Sequence, residues 1–289
     1  MLVAEPQLDP ALRDTALLTP RAIADMAVAA LRAEAQLTPK PGLVDRRGSG
    51  VHTDMNLEML LASADALREG FAECATAAQN LPLGTALRAR VGVIGRTAEH
   101  HMLAVTGGIN THRGALWSLG LLAAGVARHR NMNSAIQFAA ALAMHPDPGL
   151  QATADSHGAR ARRRYGASGA IGEAQTGFPH VVSHALPTLR RARSRGADET
   201  TARLDALLAV IAHLADTCLL HRGGLAGLSA IRRGAARVLA AGGSATPAGR
   251  RRLAQLDDLA RIRRLSPGGS GDLLSAALFL DSLPTPQRA

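Results

Sequence analysis

No stretch of this chain alternates β-branched and polar residues with the two-residue period of a strand. The apolar residues recur instead at intervals of three and four, the spacing that lines one face of a helix. Hydrophobic residues make up 47% of the 289, but aromatics only 2%, so a core has to be assembled from Ala, Leu, Val, Ile and Met. Alanine and leucine are among the strongest helix formers. The expected fold is all-α: a single globular multi-helix domain of about ten helices over 19–289, with glycine-rich loops at helix N-termini. A loosely packed, proline-containing lead is expected over 1–18.

Local signals divide the chain. Thr19-Pro20 reads as an N-cap followed by proline at the first helical position, with Ile23, Met26, Ala30 and Leu31 on one face. A second helix is expected from about Asn56, turning Leu57, Leu60, Leu61, Ala64, Leu67 and Phe71 inward, with Thr53 or Asp54 as its cap. Further helices are expected over 85–105, 111–128, 134–144, 181–193, 199–220, 224–239, 247–264 and 270–282. The stretch 145–180 is less regular and carries a basic run from Arg160 to Arg164.

Composition narrows the function classes. The formal charge of +10 points to polyanionic partners: nucleic acid, an anionic membrane surface or a multiply phosphorylated small molecule. No apolar run reaches the roughly 18 residues of a membrane span; 116–127 comes closest. No basic-then-apolar leader is present at the N-terminus, and the reading is a cytoplasmic protein. Cys74 and Cys218 match no metal or disulfide spacing and read as apolar thiols. There is no Walker A loop and no His-Glu-x-x-His.

Of the 33 basic residues all but Lys40 are arginine. Lys40 sits in Thr38-Pro39-Lys40-Pro41-Gly42-Leu43-Val44-Asp45, where two prolines fix the backbone and a compact ammonium replaces a planar fork. Four segments place glycines and polar residues ahead of an apolar helix: 40–54, 107–114, 216–224 and 266–272. Helix N-termini offer free N–H groups and a partial positive charge, natural seats for phosphate oxygens. Asp45, Asp54, Asp216, Asp272 and Glu99 lie on or near these segments, as do His52, His112 and His221. Asp54 also reads as a cap and Asp272 as an ordinary first-turn acid. Asp216 lies in an apolar run, where a charge needs a partner.

Together these segments resemble the triphosphoribosyl-dephospho-coenzyme-A synthase family. The likeness is carried by Thr38 to Asp45 and by Gly50-Val51-His52-Thr53-Asp54-Met55. It continues through Gly108-Ile109-Asn110-Thr111-His112-Arg113-Gly114 and Tyr165-Gly166-Ala167 to Gly177-Phe178-Pro179. It ends with Asp216 to Gly224 and Leu265 to Leu274. The order is the family's, over nearly the whole chain. Departures from the pattern are Cys218 for asparagine, Arg113 for lysine, Ile171 for arginine and Gly271 for alanine; Ile171 puts in question any phosphate contact from that position.

The resemblance implies an all-helical transferase that joins ATP to 3′-dephospho-coenzyme A and releases adenine. Its product feeds an acyl-carrier protein, of malonate decarboxylase rather than citrate lyase. The transfer passes through an oxocarbenium-like state and needs a base, an acid and a stabilising carboxylate. Asp45, Asp54, His52 and His221 are the expected catalytic residues. Lys40, Asn110, Thr111, His112, Arg113, Arg222, Ser266, Gly268, Gly269 and Ser270 are expected to hold phosphates. Asp216 and Asp54 are expected at Mg²⁺, brought with ATP. No nucleic-acid or membrane partner is expected, and a homodimer is compatible with the reading. The competing readings are a basic nucleic-acid-binding protein, which the scarcity of aromatics disfavours, and a magnesium-dependent hydrolase of ADP-ribose-type N-glycosidic bonds.

Overall fold

The computed structural model describes residues 18–149 and 157–284; the expected lead over 1–18 therefore lies, apart from Leu18, outside the described residues. Every regular element among them is helical: α1 Pro20–Gln36, α2 Leu57–Ala66, α3 Arg68–Asn80, α4 Thr85–Val105, α5 Arg113–Arg128, α6 Met132–Met144 and α7 His157–Tyr165. Then come α8 Gly169–Gln175, a π-helical turn Val181–Ala185, α9 Leu186–Ser194, α10 Glu199–His213, α11 Thr217–Ala240, α12 Pro247–Ile262 and α13 Gly268–Asp281.

The strongest local signals produced the expected starts. The Thr19 hydroxyl accepts the Ala22 N–H at 3.2 Å ahead of Pro20. The helix expected from Asn56 is two helices, α2 and α3, which meet at the buried Leu67. Its cap is Asn56, whose side chain accepts the Met59 N–H at 2.9 Å, not Thr53 or Asp54. The helix expected over 199–220 breaks at Leu214, and α11 restarts under an Asp216 cap. His221-Arg222-Gly223 therefore lies one turn inside α11, ahead of a kink at Gly224 (φ 57°, ψ −161°), rather than at a helix start.

Two helices occupy the centre. α5 is buried on almost every face from Ala115 to Ala127, and α13 from Ser270 to Leu280. The apolar run 116–127 is therefore a core helix, packed by α3, α6, α1 and α13. Among the described residues no single helix is long and apolar enough to cross a membrane. Alanine lets these helices approach closely, while Leu119, Leu121, Leu122, Phe71 and Phe279 fill the space between them. Truncating such a leucine to alanine typically costs about 2–5 kcal/mol. The N-termini of α5, α11 and α13 and the loop between α1 and α2 lie at one end of this core, and their polar residues meet there.

Candidate active site

The loop that follows α1 is buried rather than exposed. Lys40 is 1% exposed, and its ammonium donates to the Glu34 carbonyl and to Glu34 Oε1, both at 2.7 Å. Asp45 is buried beneath the same loop. Its carboxylate accepts the Lys40 N–H and the Arg47 N–H, each at 2.8 Å, and the Arg47 guanidinium at 2.7 Å. Burial alone would raise the Asp45 pKa; the Arg47 side chain and the two backbone N–H groups outweigh it and hold the carboxyl below its usual range. Arg47 reaches on to Asp257, which in turn accepts the Gly42 N–H at 2.9 Å. These contacts use the charges of Lys40 and Asp45 to shape the loop.

Asp216 joins two helix starts. Its Oδ1 accepts the Cys218 N–H at 2.8 Å and the Leu219 N–H at 3.4 Å, capping α11. Its Oδ2 accepts the Ser270 N–H at 2.8 Å and the Ser270 hydroxyl at 2.9 Å, capping α13. Gly269 lies against this carboxylate, where a Cβ would stand 3.2 Å from Oδ1. The Asp272 carboxyl lies against the start of α5, close to the Ala115 N–H, which acts to lower its pKa. Gly114 makes room for it, since a Cβ there would collide with the Asp272 carboxyl. Asp216 thus partly caps two of the helix starts expected to seat phosphate, taking the Cys218, Leu219 and Ser270 N–H groups. The Gly107-Gly108 pair ends α4 with positive φ.

These carboxyls share one space. Burial, then Glu34 and Asp216, push Asp272 well above the usual carboxylate range. Burial also raises Asp216, against its hydrogen bonds to Ser270. Glu34 closes the group: a Cβ on Gly271 would stand 2.9 Å from its Oε1. His112, 4% exposed, joins Nδ1 to the Ser63 hydroxyl at 2.7 Å, and Ser63 meets Thr111 at 2.6 Å. Its Nε2 has no hydrogen-bond partner among the described residues. Burial, with the Lys40 charge, lowers His112 to about 4, so it is neutral near pH 7.

A second group stands at the edge of this cluster. His52 Nε2 and the buried Ser266 hydroxyl are 2.9 Å apart, and an Arg222 N–H approaches His52 Nδ1 at 3.3 Å. Asp54, half-exposed, lies 3.7 Å from the same ring nitrogen. Burial and then Arg222 lower the His52 pKa, which Asp54 partly restores.

The four segments therefore meet: Lys40, His52, Thr111, His112, Asp216, Ser266, Gly269 and Ser270 belong to one connected region. Arg113 turns outward to pair with Glu99, while Asn110 accepts the Arg113 N–H at 3.1 Å. Gly268 packs against Cys218. His221 faces a neighbouring cavity along α7. Sequence reasoning missed Glu34, Ser63, Arg47 and Asp257, and it set Asp272 among the carboxylates near the loops, or as an ordinary first-turn acid, without a role of its own. Only Glu34 carried a local signal, an acid on the apolar face of α1. Among the described residues no group of three or more His, Cys, Asp or Glu stands in a metal-holding arrangement. Asp216, with both oxygens committed, does not fit as a ligand.

An all-helical protein that holds acidic groups away from their ordinary pKa beside a buried imidazole with one ring nitrogen unpaired among the described residues is built as an enzyme. The particular family follows from comparison. Residues 20–289 match the family described as CitG, ATP:dephospho-CoA triphosphoribosyl transferase. The chain is 52% identical over 264 residues to a probable 2-(5''-triphosphoribosyl)-3'-dephosphocoenzyme-A synthase of Stutzerimonas stutzeri, covering 90% of this chain and 91% of that one. It is 53% identical over 266 residues to a protein of the same description from Pseudomonas aeruginosa, covering 91% and 90%. A third relative so described, from Azotobacter vinelandii, is 53% identical over 264 residues, covering 90% of each. No solved structure matches. The chain belongs to the ATP:dephospho-CoA triphosphoribosyl transferase family and is a transferase.

Proposed function

We propose that this chain joins ATP to 3′-dephospho-coenzyme A and releases adenine. The product is 2′-(5″-triphosphoribosyl)-3′-dephospho-coenzyme A, the prosthetic-group precursor for the malonate decarboxylase acyl-carrier protein. The observation that carries the reading is the convergence of four separate segments on a buried acidic cluster in which Asp272 is pushed well above its ordinary range.

In this reaction the bond from ribose C1′ to adenine breaks and a bond from C1′ to the 2′-oxygen of dephospho-coenzyme A forms. The hydroxyl proton must leave and the departing adenine must gain one. Asp272 is suited to supply the proton, because a carboxyl raised well above its usual range holds its proton more readily and can act as a general acid. His52, kept neutral by burial and by Arg222, is suited to take the hydroxyl proton, with Asp54 alongside to stabilise the imidazolium. Lys40 and Asp45 act through the loop they hold. Mg²⁺ enters the proposal as a companion of the ATP phosphates, with Asp54 the carboxylate that would meet its water shell.

Incubation with ATP and dephospho-coenzyme A should yield free adenine and a product whose mass equals the two substrates less adenine. Ribose triphosphate in place of that product would indicate hydrolysis and overturn the proposal. Loading of the product onto separate malonate decarboxylase and citrate lyase carriers tests its destination.

A further inference from the structure

We propose that the cavity between α7 and α11 is a polyphosphate-binding subsite, an inference that rests on the transferase reading above. Two of the helix starts that suggested phosphate seats are partly capped by Asp216, and Asp272 lies against a third, so a retained phosphate chain needs further partners. The basic run Arg160 to Arg164 finds its place here. It folds as part of α7, which packs across the first turns of α11. A cavity of about 640 Å³ opens between them, lined by Arg160, Arg163, Arg164, Tyr165, Leu220 and His221.

Three features suit it to a polyphosphate. Helix α7 contains no acidic residue. Arg163 and Arg164 are exposed and form no ion pair among the described residues, unlike Arg47, Arg113 and Arg193, each of which meets a carboxylate. Guanidinium groups bind phosphate oxygens through paired, charge-assisted hydrogen bonds. The far wall is fixed by Tyr165: the Arg164 guanidinium lies 5.2 Å from its ring centroid. Its hydroxyl stands 3.4 Å from where a Cβ on Gly224 would be, at the kink of α11.

The position also fits. His221 follows Asp216 by five residues, about 7 Å along a helix axis. A phosphate chain on ribose carbon 5 lies one sugar's width from the carbon or hydroxyl that reacts. ATP carries such a triphosphate, and dephospho-coenzyme A carries such a diphosphate on the ribose whose 2′-hydroxyl attacks.

The test uses the full chain, the double variant Arg163→Gln/Arg164→Gln, and a charge-matched control, Arg251→Gln/Arg252→Gln, on the exposed face of α12. Calorimetry with inorganic tripolyphosphate and pyrophosphate should show affinity weakened about tenfold or more in the first variant and unchanged in the control. Steady-state adenine release should show a KM rise of about tenfold with kcat little changed. A rise for ATP places the triphosphate in the cavity, and a rise for dephospho-coenzyme A places the diphosphate there. Equal weakening in both variants, or unchanged KM for both substrates, overturns the subsite. If the wild-type chain released no adenine while the variant still lost tripolyphosphate, the transferase reading would fail and the subsite would stand.

Discussion

Replacing Lys40 by methionine removes a charge but keeps most of the side-chain volume. Lys40 is 1% exposed and its ammonium is shared between the carbonyl and Oε1 of Glu34 at 2.7 Å. The variant would leave Glu34, 7% exposed, without its cation in the space that already holds Asp272 and Asp216. Deleting one partner of a buried ion pair costs about 3–5 kcal/mol, because the survivor is left buried and uncompensated. An unfolding entropy of about 2.1 cal/mol/K per residue gives about 0.6 kcal/mol/K for the 289 residues, so the melting midpoint should fall by about 5–8 °C. Adding Glu34→Gln should recover more than half of that loss, since the orphaned charge is then gone. Calorimetry of the wild-type chain and the single and double variants measures both effects. A Lys40→Met midpoint within about 1 °C of wild type would refute the reasoning. If the KM for ATP rose in that same variant, Lys40 would be a phosphate ligand instead.

Acid should destabilise the fold through His112. Its pKa falls from 6.5 to about 4 on folding, so its contribution is intact above pH 6.5 and is lost as pH drops toward 4. Going from pH 7.5 to pH 5 should cost about 2 kcal/mol that His112→Asn does not lose, as read by urea unfolding. Asp272 has the opposite sign, since a raised carboxyl makes the fold less stable as pH climbs through its folded pKa. Asp272→Asn should therefore melt higher than wild type at pH 8, with no gain near pH 3.5, while adenine release collapses; a less stable but active variant would remove Asp272 from the site. Gly114→Ala should cost about 1–3 kcal/mol in urea unfolding and lower adenine release, because its Cβ would displace the Asp272 carboxyl from the start of α5.

Several of these groups were legible as sequence. Thr19-Pro20 predicted its helix start because a cap and its helix are neighbours in the chain. The α4 bounds followed from uninterrupted periodicity between Gly84 and Gly107. Asp216 stood out as a charge in an apolar run, but the run did not reveal that this charge breaks α10 from α11. Asp54 was read as a cap because it precedes a helix; Asn56, nearer the start, took that role. The loop around Lys40 was read as a charged turn, and nothing local said it would be covered.

The sequence by itself determined the helical class, the position of the glycine-polar segments and the family, because periodicity, turn chemistry and motif order are properties of neighbouring residues. Only the tertiary structure decided which charges face one another. Glu34 meets Lys40 and the start of α13; Asp216 reaches Ser270, and Asp272 reaches Ala115. Burial and charge coupling act through space between residues remote in the chain. A carboxyl's working pKa, and hence its chemistry, is therefore settled by packing rather than by its sequence neighbours.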